Sequence, residues 1–63
     1  MKYRELIKGL QKSGWYLLRQ GGGRHEIWTN GEIEEPVPRH REINELLAKK
    51  ILKRALMHPR KGN

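Results

Sequence analysis

One histidine, His25, directly follows the run Gly21-Gly22-Gly23-Arg24. Histidine takes up and releases protons near neutral pH, and glycine lets a phosphate approach the backbone closely because it has no side chain. This arrangement predicts proton transfer at or beside a phosphate and points to RNA. Two structural alternatives remain open: His25 is a strand-edge histidine satisfied by hydrogen bonds, and the glycine run is only a flexible connection.

RNA cleavage needs no cofactor, because the RNA 2′-hydroxyl attacks the neighbouring phosphorus once a base removes its proton. A general base or acid contributes about 10² to 10⁴ in rate, so His25 is the predicted catalytic residue. Arg24, Arg39 or a lysine of the last helix would supply the charge that stabilises the phosphorane. His40 lies in a basic turn, and its part in catalysis stays open.

Other catalytic chemistries find little support in the sequence. The chain has no cysteine and no paired-histidine metal motif, and its only serine, Ser13, stands where a helix is expected to end. Thiolate sites are therefore excluded, and acyl transfer by a serine triad is disfavoured. We expect no cofactor and no metal.

The charge balance favours a polyanionic partner. Lys and Arg outnumber Asp and Glu by 14 to 7, giving a formal net charge of +7. Nucleic acid and an acidic protein surface both fit this excess, and solubility alone is the third interpretation. The predicted RNA-binding residues are Arg24, Arg39, Lys49, Lys50 and Lys53. A further basic row, formed by Arg4, Lys8 and Lys12, is either a solvated helix face or a phosphate-facing one.

The length of 63 residues predicts one domain with an open surface site. A domain of this size buries only about 60% of the surface of its unfolded chain, which leaves no room for a deep chamber. We expect the domain to span residues 1–57 and residues 58–63 to form a flexible tail. No membrane segment is expected, since the longest apolar run is Trp15 to Leu18. A cytoplasmic location is the expectation.

Apolar spacing predicts a helix at each end of the chain. Positions i, i+3, i+4 and i+7 are occupied by Tyr3, Leu6, Ile7 and Leu10. This stripe predicts a helix from Lys2 to Ser13 that stops at Gly14. Helical spacing returns after Ile43 and predicts a second helix that ends near Leu56, with Asn44 as N-cap.

The middle of the chain predicts three antiparallel strands, over Trp15–Gln20, His25–Thr29 and Glu32–Val37. Asn30-Gly31 is typical of a two-residue type I′ turn, which would place Thr29 opposite Glu32 and Trp28 opposite Ile33. Prolines cannot donate ladder hydrogen bonds, so Pro36 and Pro38 place the third strand at an edge or end it. The fold class is therefore α+β, with a three-stranded antiparallel sheet packed on two helices.

Two further groups have both a functional and a structural interpretation. Trp15, Tyr16 and Trp28 could stack on bases, but we expect Trp15 in the core. A correct hairpin register would bring Glu26, Glu34 and Glu35 near His25, where a carboxylate favours the protonated imidazole. The alternative is that these carboxylates are edge charges that block strand addition.

The chain resembles the HicA family of bacterial toxin–antitoxin systems over nearly its whole length. The resemblance rests on Gly21-Gly22-Gly23-Arg24-His25-Glu26-Ile27-Trp28, on Val37-Pro38-Arg39-His40 and on the helix from Leu46 to Lys53. It implies a double-stranded-RNA-binding-domain-like α-β-β-β-α fold. The family's catalytic histidine corresponds to His25, and Arg24 stands where serine is usual.

The resemblance also implies a function and a partner. The expected function is an mRNA interferase that cleaves transcripts and arrests translation until a HicB-type antitoxin blocks it. The same helices and sheet would also suit a non-catalytic module that binds double-stranded RNA by shape. A third alternative is a domain that only holds an acidic protein partner.

Overall fold

The computed structural model describes residues 1–61 and confirms the expected architecture. The elements in chain order are α1 (Tyr3–Lys12), β1 (Tyr16–Gln20), β2 (His25–Thr29), β3 (Glu34–Pro38) and α2 (Glu45–Met57). The three strands form one antiparallel sheet in the order β1-β2-β3. None of the helices in the described part of the chain is long and apolar enough to cross a membrane.

Both helices form where the apolar spacing predicts them. Leu6 and Leu10 of α1 are fully buried, as the stripe requires. Asn44 caps α2 as predicted, because its side chain accepts a hydrogen bond of 3.1 Å from the Leu47 backbone N–H. The helices approach closely at Gly9, where an added Cβ would overlap a methyl group of Leu52.

The β2–β3 connection differs from the predicted two-residue turn. Thr29 pairs with Glu34 and Trp28 with Glu35, so four residues, 30–33, form the loop. A type I′ turn needs positive φ at Asn30, and no residue other than glycine has positive φ within residues 1–61. Instead, the Asn30 side-chain oxygen accepts hydrogen bonds from the backbone N–H groups of Glu32, at 2.8 Å, and Ile33, at 2.9 Å. These bonds stabilise the longer loop.

The prolines of β3 lie at a sheet edge, in agreement with the sequence. β3 has a single neighbour, β2, and Pro36 and Pro38 lie opposite Ile27 and His25. Each strand alternates its side chains between the two faces of the sheet. Glu26 and Trp28 are buried on the face that packs against the helices, so His25 and Ile27 lie on the opposite face.

Both tryptophans belong to the core. Trp15 is 2% exposed, as expected, and Trp28 is 4% exposed. They pack with Leu6, Leu10, Val37, Ile43, Ala48, Ile51 and Ala55. The stacking interpretation is therefore wrong for both indole rings, because their faces are covered. The half-exposed Tyr16 ring lies 4.9 Å from the guanidinium carbon of Arg60.

The segment after α2 is attached to the rest of the fold at His58 and Arg60. The His58 carbonyl accepts hydrogen bonds of 2.9 Å from Trp15 Nε1 and Asn30 Nδ2. The Arg60 N–H donates to the Ser13 carbonyl at 2.9 Å. The domain boundary at residue 57 and the flexibility of the tail stay predictions, and residues 62 and 63 lie outside the described residues.

Candidate active site

His25 is held at the start of β2 by the glycine loop before it. Its carbonyl accepts a hydrogen bond of 2.9 Å from the Gly21 N–H, which closes the loop. Gly23 has a φ of +62°, a conformation that residues with a side chain rarely adopt. The imidazole itself is exposed. The loop therefore fixes the backbone of His25 and leaves its ring accessible to a substrate.

The glycine loop also orients the ring. His25 Nδ1 lies 3.3 Å from the Gly22 carbonyl oxygen. In the tautomer that carries its proton on Nδ1, the ring donates to this carbonyl and Nε2 presents a lone pair. Such an imidazole has the form that a general base requires.

Arg24 and Arg39 lie together beside this loop. The Arg39 N–H donates to the Arg24 carbonyl at 2.7 Å, which joins the segment after β3 to the residue before His25. Both arginines line an open cavity of about 260 Å³ together with Gln20 and Gly23. The lining includes no carboxylate and does not include His25, whose exposed ring belongs to the residue directly after Arg24.

The structure does not bring the three predicted lysines to this cavity. Lys49, Lys50 and Lys53 are exposed on α2. Lys50 and Lys53 line a different cavity, beside the ion pair that Arg54 Nε forms with Glu35 at 3.1 Å. Because α2 packs against the face of the sheet opposite to His25, these lysines belong to a separate basic surface. Their part in RNA binding stays a prediction.

The carboxylates expected near His25 are directed elsewhere. Glu34 pairs with Arg19 at 3.0 Å, Glu35 pairs with Arg54, and Glu26 is buried against the helices. Within residues 1–61, none of the ion pairs includes His25. The expected proximity is wrong because Glu26 alternates to the other face and because the longer loop shifts the register of β3.

Glu26 is the centre of a buried polar cluster that the sequence analysis missed. It is 5% exposed. The Tyr3 hydroxyl and Trp28 Nε1, the latter at 3.1 Å, both donate to its Oε1. Arg39 Nε lies 3.9 Å from Oε2. The spacing of Glu26 and Trp28, two residues apart on one strand, places both side chains on the same face and was the available signal.

Comparison with known protein families identifies the chain. The family described as HicA toxin of bacterial toxin–antitoxin matches residues 3–57, a range that includes both helices and the whole sheet. The chain belongs to the HicA toxin family. Comparison with curated proteins and with solved structures finds no match.

Family membership makes this HicA chain the toxin of a toxin–antitoxin pair, which implies an antitoxin partner. The α-β-β-β-α fold expected from the resemblance is confirmed. Arg24, the residue directly before His25, lines the cavity next to the glycine loop. In the part of the HicA chain that the structure describes, no cluster of three His, Asp or Glu side chains is arranged to hold a metal ion.

The folding stability of this HicA chain should depend on pH in the alkaline range, because Tyr3 is partly buried and donates a hydrogen bond to Glu26. Burial, and then the hydrogen bond to Glu26, raise the pKa of Tyr3 to about 12. Because the pKa of Tyr3 is raised in the folded state, the contribution of Tyr3 to folding stability is complete below pH 10.0, the ordinary tyrosine pKa. This contribution is lost as the pH rises through about 12. Tyr3→Phe should cost about 1–2 kcal/mol near neutral pH.

Urea unfolding at about pH 9 and about pH 11.5 measures this effect. The parent should lose more stability over this interval than Tyr3→Phe, since only the parent has a Tyr3 hydroxyl to ionise. Tyr16→Phe is the matched control, because it removes the hydroxyl of a half-exposed ring and keeps the Tyr3–Glu26 bond. Parallel losses in the parent and Tyr3→Phe would contradict the assignment.

Proposed function

We propose that this HicA-family toxin is a metal-independent endoribonuclease that cleaves mRNA, with His25 as the proton-transfer group. The supporting observation is an exposed imidazole whose Nδ1 lies 3.3 Å from the Gly22 carbonyl oxygen, directly after Arg24, which lines a cavity together with Arg39. The Arg24 cation is thus the chain neighbour of the proposed proton acceptor, and Arg39 is joined to Arg24 by a backbone hydrogen bond of 2.7 Å. A single-stranded transcript can reach such a surface without entering a chamber.

The proposed reaction uses the RNA's own nucleophile. His25 Nε2 removes the proton of the 2′-hydroxyl, the 2′-oxygen forms a bond to phosphorus, and the bond from phosphorus to the 5′-oxygen breaks. The departing 5′-oxygen takes up a proton from water, and the proton held on His25 Nε2 returns to solvent, so the products are a 2′,3′-cyclic phosphate and a 5′-hydroxyl and the imidazole is regenerated. Arg24 or Arg39 stabilises the extra negative charge on the phosphorane, which is greatest in the transition state.

A HicB-type antitoxin would neutralise the toxin by covering this surface. The net charge of +7 favours an acidic partner, and the exposed arginines beside His25 give it cations to bind. Co-purification with the product of a neighbouring open reading frame, together with rescue of growth, checks this pairing. Absence of both would contradict it.

The chemistry is tested by mapping product ends in a buffer that contains a chelator. We expect purified protein to cleave RNA under these conditions and to leave 2′,3′-cyclic phosphate and 5′-hydroxyl ends. Sequencing the transcript ends after induced expression in growing cells then identifies the sites chosen in vivo. Cleavage that depends strictly on added magnesium and leaves 5′-phosphate ends would overturn the mechanism.

The second candidate is a non-catalytic module that binds double-stranded RNA. The exposed lysines of α2, on the face of the fold away from His25, favour it, since they could contact duplex phosphates without any chemistry. A pure binder would shift duplex RNA with an affinity that falls steeply with salt. It would leave strand lengths unchanged on a denaturing gel, whereas the proposed nuclease shortens them.

A further inference from the structure

A second basic cavity lies at the start of α1. It has a volume of about 280 Å³ and is lined by Lys2, Tyr3, Arg4, Arg39, His40 and Arg41. The lining includes four permanent cations and an imidazole, and no carboxylate. Two short basic segments from distant parts of the sequence therefore share one concave surface.

Backbone hydrogen bonds hold these two segments together. The Tyr3 N–H donates to the Arg41 carbonyl at 3.1 Å, and the Ile43 N–H donates to the Met1 carbonyl at 2.7 Å. The Tyr3 hydroxyl also donates a hydrogen bond to the buried Glu26, which connects the start of α1 to strand β2. The two segments are thus held by backbone hydrogen bonds, so ligand binding needs little backbone rearrangement.

The charge of this cavity is largely uncompensated. Among the ion pairs of residues 1–61, only Arg39 of the lining takes part, at 3.9 Å from Glu26. The side chains of Lys2, Arg4 and Arg41 are exposed and form no ion pair within residues 1–61, and Glu5 accepts a hydrogen bond of 3.2 Å from the Lys2 backbone N–H. Like charges held close together repel, and an anion bound between them relieves the repulsion.

Arg39 connects this cavity to the candidate active site. It lines both the cavity next to the glycine loop that precedes His25, with Arg24, and the cavity at the start of α1, with Arg4 and Arg41. We propose that the second cavity binds a backbone phosphate of the RNA that flanks the phosphate cleaved at His25. This inference rests on the proposed function. The second cavity would be a substrate subsite, and the RNA strand would pass Arg39 between the two cavities.

An RNA strand explains the two cavities better than an acidic protein segment does. Phosphates repeat at short intervals along a single strand, so a strand that places one phosphate beside His25 brings the next ones to a neighbouring basic site. The arginine forks fit phosphate oxygens in pairs. Binding by an acidic protein alone is a separate outcome of the test below.

The first experiment measures binding of a short single-stranded RNA in a His25→Gln background, which prevents cleavage by the proposed mechanism. Arg4→Gln/Arg41→Gln should weaken binding about tenfold or more and should lower the salt slope by about 0.7, the value for one lost phosphate contact on a single strand. The matched control is Lys8→Gln/Lys12→Gln, which removes the same charge from exposed positions of α1 outside the cavity.

The outcomes of this comparison are distinct. A clearly larger loss for the arginine pair supports the subsite. Equal losses in the two double variants indicate general electrostatic attraction and overturn it. Unchanged RNA affinity with weakened antitoxin binding assigns the cavity to the protein partner and also overturns it. Circular dichroism of the double variant shows whether it is folded. The single variants Arg4→Gln and Arg41→Gln provide the comparison if the double variant misfolds.

The second experiment separates the subsite from the proposed function. With His25 intact, Arg4→Gln/Arg41→Gln should lower kcat/KM about tenfold on an RNA of several nucleotides and leave it unchanged on a dinucleotide with a single phosphodiester. Equal effects on both substrates would overturn the subsite. If the parent cleaves neither RNA, the proposed nuclease fails, and the binding comparison still decides whether the cavity holds RNA phosphate.

Discussion

His25→Gln should lower RNA cleavage by about 10² to 10⁴-fold and remove toxicity, with the fold unchanged. Glutamine can still donate a hydrogen bond to the Gly22 carbonyl, but it cannot accept and release a proton near neutral pH. His25 is exposed, so the substitution removes little buried surface. The measurement is the single-turnover rate on a labelled RNA with protein in excess, together with growth after induction.

Two other histidines provide the comparison. His58→Gln is the matched control, because the contacts of His58 with Trp15 and Asn30 use its backbone carbonyl and survive the change. It should cleave like the parent. His40→Gln decides whether His40 takes part in catalysis, which the sequence leaves open. If His25→Gln remains as toxic as the parent, the assignment of the proton-transfer group is wrong.

Glu26→Ala should destabilise the domain by about 2–4 kcal/mol, the largest stability effect that we expect from a single polar residue here. The change leaves the Tyr3 hydroxyl and Trp28 Nε1 without their acceptor and opens a space beside the core. A domain of this length has a total stability of roughly 3–9 kcal/mol, so much of the chain would unfold.

Urea unfolding of three variants measures this contribution. Glu26→Gln keeps an acceptor oxygen and the side-chain volume, and should lose only about 1–2 kcal/mol. Glu34→Ala is the control, because it removes a half-exposed ion pair with Arg19 and should cost less than about 1 kcal/mol. A Glu26→Ala variant as stable as Glu34→Ala would show that the buried cluster does not stabilise the fold.

Local patterns in the sequence were enough to predict the helices and strands and their order along the chain. The helices follow from apolar spacing, which a single face of a helix must satisfy whatever it packs against. His25 was located at the start of β2 because glycines before it and a turn after it bound the strand on both sides. The prediction of a two-residue β2–β3 turn was wrong because tertiary contacts outweighed local propensity. Asn30 is buried, and its side-chain amide donates to the carbonyl of His58, 28 residues away.

Sequence alone therefore determined the α-β-β-β-α order, the net charge, the family resemblance and the position of His25 at the start of β2, since these depend on composition and on local patterns along the chain. Only the tertiary structure decided which charged groups meet. It buried Glu26 against Tyr3, joined Arg4 to Arg41 in one cavity and separated the α2 lysines from His25. The physical reason is that side-chain alternation, strand register and helix packing together set distances between residues far apart in sequence, and no local pattern encodes those distances.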